Sequence, residues 1–551
     1  MPAITLERDR FCTFIRRSLT VEEMAKWLPW LGLDIEETGP DHVKVEFNPN
    51  RVDFCSYAGI ARAFRGLMGW EIGLPKYDVE KGGVVMNVEP TVSEVRPDVL
   101  GAVVRNIRLD RDSVGELMEV QEDLHWGLGR DRKKASIGVH NLDAVQPPFI
   151  YMGADPDAVK FVPLDKIEEM TLREILEKHE KGIAYKHLID WASKYPLIVD
   201  NKERVLSMPP IINGELTRVD SQTKNLFIDV TGTDWNSVER SMNVLVTALA
   251  DMGGSVESVQ IVYPDRTMVS PDLSAQKMNL RVKYANEVLG VKFTESKTVD
   301  ALKKCRLDAK RLSKGILEVS IPPYRIDILH EVDLVEEIAI GYGYFKLKST
   351  RPIAVTTGKQ HWANEVARRV RQIMVGLGFT EVMNFILTNE ADHYQKMRRK
   401  IDDVVQLANP VSSEYSIARK NLLPGLIRNL MDNRHESYPQ RIFEISDIIG
   451  IEKKAETRSE RRLHLACVSS HPTANFTEIK SFAEALLANL GIKQWQIKET
   501  RHPSFLEGRV AAIHLKRKKV GTVGEIHPEV LNNFELENPA SAFEIGLNGI
   551  V

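Results

Sequence analysis

Four carboxylates in the stretch Ile321–Tyr344 stand at spacings that could hold a cation: Asp327, Asp333, Glu336 and Glu337. Asp333, Glu336 and Glu337 fall at i, i+3 and i+4. That spacing predicts one shared face of a helix beginning at about Asp333. Leu334, Val335 and Ile338 then turn toward a core. The β-branched run before them predicts a strand ending at Asp327, which delivers that carboxylate beside the helix start. Four converging carboxylates repel one another unless a hard cation or a basic partner offsets them. Oxygen-only ligands suit Mg²⁺, which takes some ligands from protein and keeps several waters. Acids in a first helical turn are also favoured by the helix dipole alone. For these residues taken alone, that is the commoner account.

A second group lies within residues 200–234. Ser207-Met-Pro-Pro-Ile-Ile-Asn213 combines a rigid Pro-Pro bend with a hydroxyl and an amide. In Leu226-Phe-Ile-Asp-Val-Thr-Gly-Thr-Asp234, Asp229 and Thr231 are two apart and so share one face of a predicted strand. Gly232 then breaks the strand and admits another backbone. An acid inside such an apolar run is half-buried, and burial without a partner is costly. Asp229 is therefore expected to meet a polar ligand or a neighbouring backbone. On the residues alone, a structural turn network is the favoured account. No Ser/His/Asp order and no Cys-His pairing points to a covalent nucleophile.

The elements that must position these groups fall into several domains, as 551 residues require. Residues 1–90 read as a small α/β unit. It has a capping-box helix at Thr20-Val-Glu-Glu, a strand at Val43–Phe47, a turn at Asn48–Asp53 and a helix from Tyr57 to Met68. Residues 91–268 read as one mixed domain. Strand signals at Val99–Ile107 and Leu226–Asp234 accompany helices at Val114–Gly129 and Asn236–Met252. Residues 269–346 form a compact unit with two short helices, a strand at Ile316–Ile321 and the acid helix. Residues 347–551 read as an α/β domain with antiparallel strands. There Lys516-Arg-Lys-Lys519 is a solvated hairpin tip rather than a nucleic-acid patch. The fold class is α+β, multidomain.

The acid string resembles a segment of the phenylalanyl-tRNA synthetase β subunit, in which an Arg-x-Asp strand end precedes Asp-Leu-(Ile/Val)-Glu-Glu-Ile-Ala. Arg325, Asp327, Asp333, Glu336 and Glu337 all match. So does Asn48-Pro-Asn-Arg-Val-Asp53 with its following helix, where Val52 replaces the family's usual proline. The resemblance implies a magnesium ion on the four acids at the contact with an α subunit. It also implies that the 91–268 domain is the editing domain of the archaeal and eukaryotic type, with Ser207, Asn213, Asp229 and Thr231 on matching positions. That domain hydrolyses tyrosine mischarged onto tRNA(Phe).

The last domain resembles the class II synthetase fold as this β subunit carries it, in the strings Asn409–Gly425, Arg441–Asp447 and Gly521–Glu529. An active class II site clamps ATP phosphates with arginines. One follows a Phe-Arg-x-Glu pattern, and Arg441-Ile-Phe-Glu444 lacks that order. The resemblance therefore implies an inactive domain, with ATP bound by the α subunit. The implied assembly is α2β2, acting on phenylalanine, ATP and tRNA(Phe). The rival reading is a free-standing aminoacyl-tRNA ester hydrolase with a degenerate synthetase domain.

Composition sets outer bounds: 43% hydrophobic, 27% charged and a net charge of −3, so no global positive field attracts nucleic acid. DNA is not an expected partner. Four scattered cysteines without a CxxC argue against zinc and for a reducing compartment. No apolar run of ~18 residues exists and the N-terminus shows no signal segment, so a cytoplasmic protein with no membrane contact is expected.

Overall fold

The computed structural model describes residues 2–352 and 356–548. Met1, residues 353–355 and residues 549–551, which fall within the expected first and last domains, lie outside the described residues. The chain divides into two compact units, Met1–Thr350 and Arg351–Val551.

In the first unit, a three-stranded sheet orders Ala3–Glu7, His42–Glu46 and Asp34–Thr38. The expected capping box is present. Glu23 N–H donates to Thr20 Oγ1 at 3.2 Å, and Thr20 N–H donates to Glu23 Oε2 at 2.9 Å. These bonds satisfy amides that a helix start leaves unpaired. Helix Tyr57–Leu67 follows the Asn48–Asp53 turn, where Arg51 grips Asp53 at 2.9 and 3.0 Å. Its fully buried Arg62 pairs with Asp251 at 2.5 Å and stacks 3.5 Å over the Tyr324 ring.

Ten strands form the large sheet of this unit. Its path runs Ile212–Asn213, Val205–Met208, Tyr195–Val199, Phe149–Ala154, Val79–Val88, Ser255–Val262, Asp98–Arg105, Leu226–Gly232 and Ala135–Asn141, with Thr267–Ser270 paired on Ser255–Val262. Val79–Val88 runs parallel to both of its neighbours, and the other pairs are antiparallel. The two ends of the path approach each other: Asn213 Nδ2 donates to Val139 O at 3.3 Å. Leu226, Ile228 and Val230 enter one core with helices Arg111–Trp126 and Trp235–Asp251, while Phe227 enters the other. Asp229 and Thr231 share the Phe227 face, as the period of two requires.

A smaller sheet orders Gln276–Arg281, Ile316–Ile321 and Asp308–Ser313, packed with helices Val282–Leu289, Glu295–Lys304 and Glu331–Tyr342. Two expectations shift here. The strand ends at Ile321 rather than Asp327, because Pro322 and Pro323 offer no amide to the ladder. The helix starts at Glu331 rather than Asp333.

The second unit is a seven-stranded sheet: Thr380–Glu381, Gln440–Ile451, Ser459–Ser470, Ala540–Gly546, Lys518–Ile526, Phe505–Leu515 and Trp495–Glu499. All pairs but the first are antiparallel. Helices Trp362–Gly376 and Phe476–Asn489 share one core, and Leu423–Asp432 and Pro528–Asn533 the other. The basic run is a hairpin tip as expected. Lys516 and Arg517 take φ of 45° and 71° at the turn, and Lys518 begins the next strand.

Candidate active site

Where the two ends of the large sheet meet, they enclose a cavity of about 620 Å³. Ser207 and Asn213 line it from one end of the sheet, Gly138 and Asp229 from the other, and Gln121 and His125 from helix Arg111–Trp126. Ser207 and Asn213 are ladder partners, so they reach the cavity together. Ser207 is 2% exposed, and its Oγ has no hydrogen-bond partner among the described residues.

Asp229 sits between Gly101 and Gly138 on the flanking strands. Among the described residues its carboxylate makes no hydrogen bond to backbone. Oδ2 lies 2.8 Å from His140 Nε2, and His140 Nδ1 lies 2.8 Å from Thr217 Oγ1, whose hydroxyl also reaches Leu206 O at 3.3 Å and Gly214 O at 3.2 Å. Asp229 and His140 are both buried. This chain of three was not visible in the sequence, where His140 and Thr217 stand in no recognisable order with Asp229. The one available signal was a histidine closing an apolar strand, Ala135–Asn141.

Gly138 is what lets this pair form. A Cβ there would lie 2.1 Å from Asp229 Oδ2 and 2.6 Å from His140 Nε2. Gly138→Ala should therefore push the carboxylate off its partner. We expect any activity that depends on the Asp229–His140 pair to fall at least about tenfold while overall helix and strand content stays unchanged, since a shift of the order of 1 Å suffices for such losses. Circular dichroism beside an activity assay checks both halves of that outcome.

Thr231 does not line the cavity, although it shares a strand face with Asp229. Its Oγ1 accepts from Arg96 Nε at 3.2 Å and lies 3.0 Å from Ser136 Oγ, and its carbonyl accepts from Arg96 Nη2 at 2.7 Å. Burial pulls the Arg96 guanidinium down to about 10, still charged at neutral pH. Thr231 thus anchors a buried cation beneath the site. Gly232 admits another backbone as expected: a Cβ there would meet Lys134 O at 2.3 Å.

The acid group is arranged differently from the expected cation cage. Buried Arg325 donates to Asp327 through Nε at 2.9 Å and Nη2 at 2.7 Å, and to Glu337 at 2.9 and 2.6 Å. Burial opposes ionisation of Asp327, but Arg325 outweighs it and holds the carboxyl below its usual value. Asp333 Oδ2 accepts the Leu329 and His330 amides at 2.8 and 2.7 Å, so it caps its own helix. Glu336 is the acid left over. Partial burial and the charges of Glu337, Asp327 and Asp333 push its carboxyl up. Among the described residues, no group of three or more His, Cys, Asp or Glu is placed to hold a metal ion. The basic partner for two of the acids is Arg325 itself.

In the second unit, the arginines nearest the class II-like strings are already engaged. Arg441 donates to Glu478 at 2.8 Å. Buried Arg419 pairs with Glu444 at 2.8 Å and donates to Asp447 O at 3.1 Å. No helix among the described residues is long and apolar enough to cross a membrane.

Three family models match in order along the chain: the B3/4 domain at 124–247, the tRNA synthetase B5 domain at 278–344, and the phenylalanyl tRNA synthetase beta chain CLM domain at 347–547. The phenylalanine–tRNA ligase beta subunit of Archaeoglobus fulgidus is 44% identical over 551 residues, covering 100% of this chain and 98% of its own. That of Methanocaldococcus jannaschii is 43% identical over 550 residues, covering 99% and 100%. Among solved structures, an N-terminal fragment of the phenylalanyl-tRNA synthetase beta subunit from Pyrococcus horikoshii superposes with a TM-score of 0.60 at 38% identity, covering 62% of this chain and all of that one.

Proposed function

The chain belongs to the phenylalanyl-tRNA synthetase β-subunit family, and from that premise we propose that it is the non-activating half of phenylalanine–tRNA ligase. With an α subunit in an α2β2 assembly, ATP, phenylalanine and tRNA(Phe) give phenylalanyl-tRNA(Phe), AMP and diphosphate. The α subunit binds ATP and forms the adenylate. This chain supplies a hydrolytic editing pocket and the surface that holds the assembly together. The ion pairs of Arg419 with Glu444 and of Arg441 with Glu478 support that division, because each guanidinium is already held by a carboxylate. So do Met383 and Phe385, two apart in sequence, which stand 90% and 76% exposed. Large apolar side chains grouped in the open mark a partner surface. When the purified chain is assayed alone, ATP–pyrophosphate exchange with phenylalanine should be absent. It should appear on co-expression with an α subunit, and exchange by the lone chain would overturn this reading.

The observation that carries the editing role is the cavity at the joined sheet ends, with Asp229, Ser207 and Asn213 on its wall. Tyrosine differs from phenylalanine by one hydroxyl. An apolar pocket rejects such an addition only about a hundredfold, so a second, hydrolytic site is needed. The reaction is attack of water on the ester carbonyl. The bond from the acyl carbon to the ribose oxygen breaks, giving tyrosine and a free terminal ribose hydroxyl. Asp229, held by His140, orients the water. Asn213 and Ser207 contact the aminoacyl group. Thr231 acts through the Arg96 network rather than on the substrate.

Mg²⁺ is assigned to the acid group on donor chemistry alone, since all its donors are oxygen. As the side chains stand, Arg325 takes Asp327 and Glu337, and Asp333 caps its helix, so the four are not placed to hold an ion; Glu336, with Asp327, Asp333 and Glu337, would hold one only once those side chains turned from their partners. The ion would supply positive charge at the subunit contact. Arg325 meanwhile fixes where two of the acids stand.

A further inference from the structure

A separate cavity, of about 360 Å³, opens on the seven-stranded sheet of the second unit. Glu544 on its floor lies opposite Ala466 on one neighbouring strand and Thr522 on the other. His464, two residues before Ala466, shares their face. Glu544 is the one carboxylate among the described residues that line this cavity, and its charge is already answered. His464 Nδ1 stands 2.9 Å from Oε1, and the Leu422 and Leu423 amides donate to Oε2 at 3.2 and 3.1 Å. Burial opposes ionisation of Glu544, but these bonds outweigh it and hold the carboxyl below its usual value.

The donors around that floor are not answered. Arg399 makes no ion pair among the described residues. Its one side-chain hydrogen bond runs from Nη1 to Asn421 Oδ1, and its guanidinium stands 5.2 Å from the centre of the Tyr394 ring. Lys519 Nζ and the Thr522 hydroxyl have no partner among the described residues. His502 takes the Ser504 N–H on Nδ1 at 3.2 Å, which leaves the ring hydrogen on Nε2. Burial, followed by the charges of Arg399 and Lys519, lowers His502 to about 4. The ring is therefore neutral at pH 7, and both cations stand near it. Water serves any one of these donors. Only a negative charge also offsets two like charges that face one space. The rest of the wall is apolar, from Met397, Leu423, Phe505 and Val520.

We propose that this cavity binds a small oxyanion, a phosphate or carboxylate group carried on a compact apolar body. Arg399 and Lys519 supply the charge. The Thr522 hydroxyl and His502 Nε2–H donate to the remaining oxygens, and the apolar wall covers the body. The site is independent of the hydrolytic pocket, since all of its residues belong to the second unit. Three probes separate the sources of the anion. Phenyl phosphate and phenylacetate each carry one ring and differ in the charged group, and benzyl alcohol carries no charge.

Binding is measured calorimetrically with the full chain in complex with its α subunit. At least one of the two acids should bind with a Kd on the order of 1 mM or tighter. The tighter of the two names the charged group, and benzyl alcohol should bind at least about tenfold more weakly than it. Lys519→Gln and Thr522→Val should each weaken the preferred acid by about tenfold. Both variants keep the fold, because Lys519 is exposed and the Thr522 hydroxyl holds nothing else in place. Only affinity lost with these two changes belongs to this cavity, since other pockets of the assembly do not feel them. No binding of either acid up to about 10 mM, equal binding of the alcohol, or an affinity that survives both substitutions overturns the site.

Discussion

Asp229→Asn in the assembled enzyme should lower deacylation of tyrosyl-tRNA(Phe) by about 10²- to 10⁴-fold, the range a positioned proton acceptor supplies. The substitution is close to isosteric. The Asn side chain still reaches His140 Nε2, which now stands 2.8 Å from the carboxylate, so the strand and its two glycine neighbours stay in place. What disappears is the negative charge proposed to orient the attacking water. Charging with phenylalanine should be unaffected, so tyrosyl-tRNA(Phe) accumulates with time. Single-turnover deacylation of pre-charged tRNA measures the first effect, and steady-state misacylation the second. An unchanged deacylation rate would remove Asp229 from the chemistry and leave it a packing residue.

Arg325→Met should destabilise the protein by about 3–5 kcal/mol, because it strands two carboxylates rather than one contact. Asp327 and Glu337 are both buried side chains held on that guanidinium. The pH dependence should change sign. In the wild type, Asp327 is held below its unfolded value. Its stabilising contribution is therefore complete above about pH 4 and is lost as pH falls through the lowered value. In the variant, Asp327 keeps its burial but loses Arg325, the main charge that outweighs it, and its carboxyl moves up. Protonation then relieves the cost, and stability should rise as pH is lowered from 7 toward 5. Urea midpoints at the two pH values test the inversion. A variant that loses stability on acidification in parallel with the wild type would contradict it.

What could be read from the sequence was what local chemistry decides. The Thr20 capping box, the strand through Asp229, the close approach at Gly232 and the hairpin tip at Lys516 each rest on neighbours within a few residues. Non-local pairing was not legible. His140 meets Asp229 from 89 residues away, and nothing in either string names the other. Thr231 has the same strand parity as Asp229, yet Arg96 takes it out of the cavity, because parity fixes a face but not what covers it. At the acid group, the composition implied a compensating cation, and the structure supplies one from within the motif as Arg325. The strand end was misplaced because the β-branched pattern continued past Pro322-Pro323, where the missing amides had already ended pairing.

The strand Val79–Val88 lies between Phe149–Ala154 and Ser255–Val262, in the middle of the sheet that shapes the cavity. A proofreading fragment cut to begin after residue 90 would lose an interior strand and expose two raw edges, each a template for aggregation. The proposed hydrolytic function would thus not be a detachable cassette. Any portable version must carry the chain from before Val79, and with it the linker that ties proofreading to the amino-terminal unit.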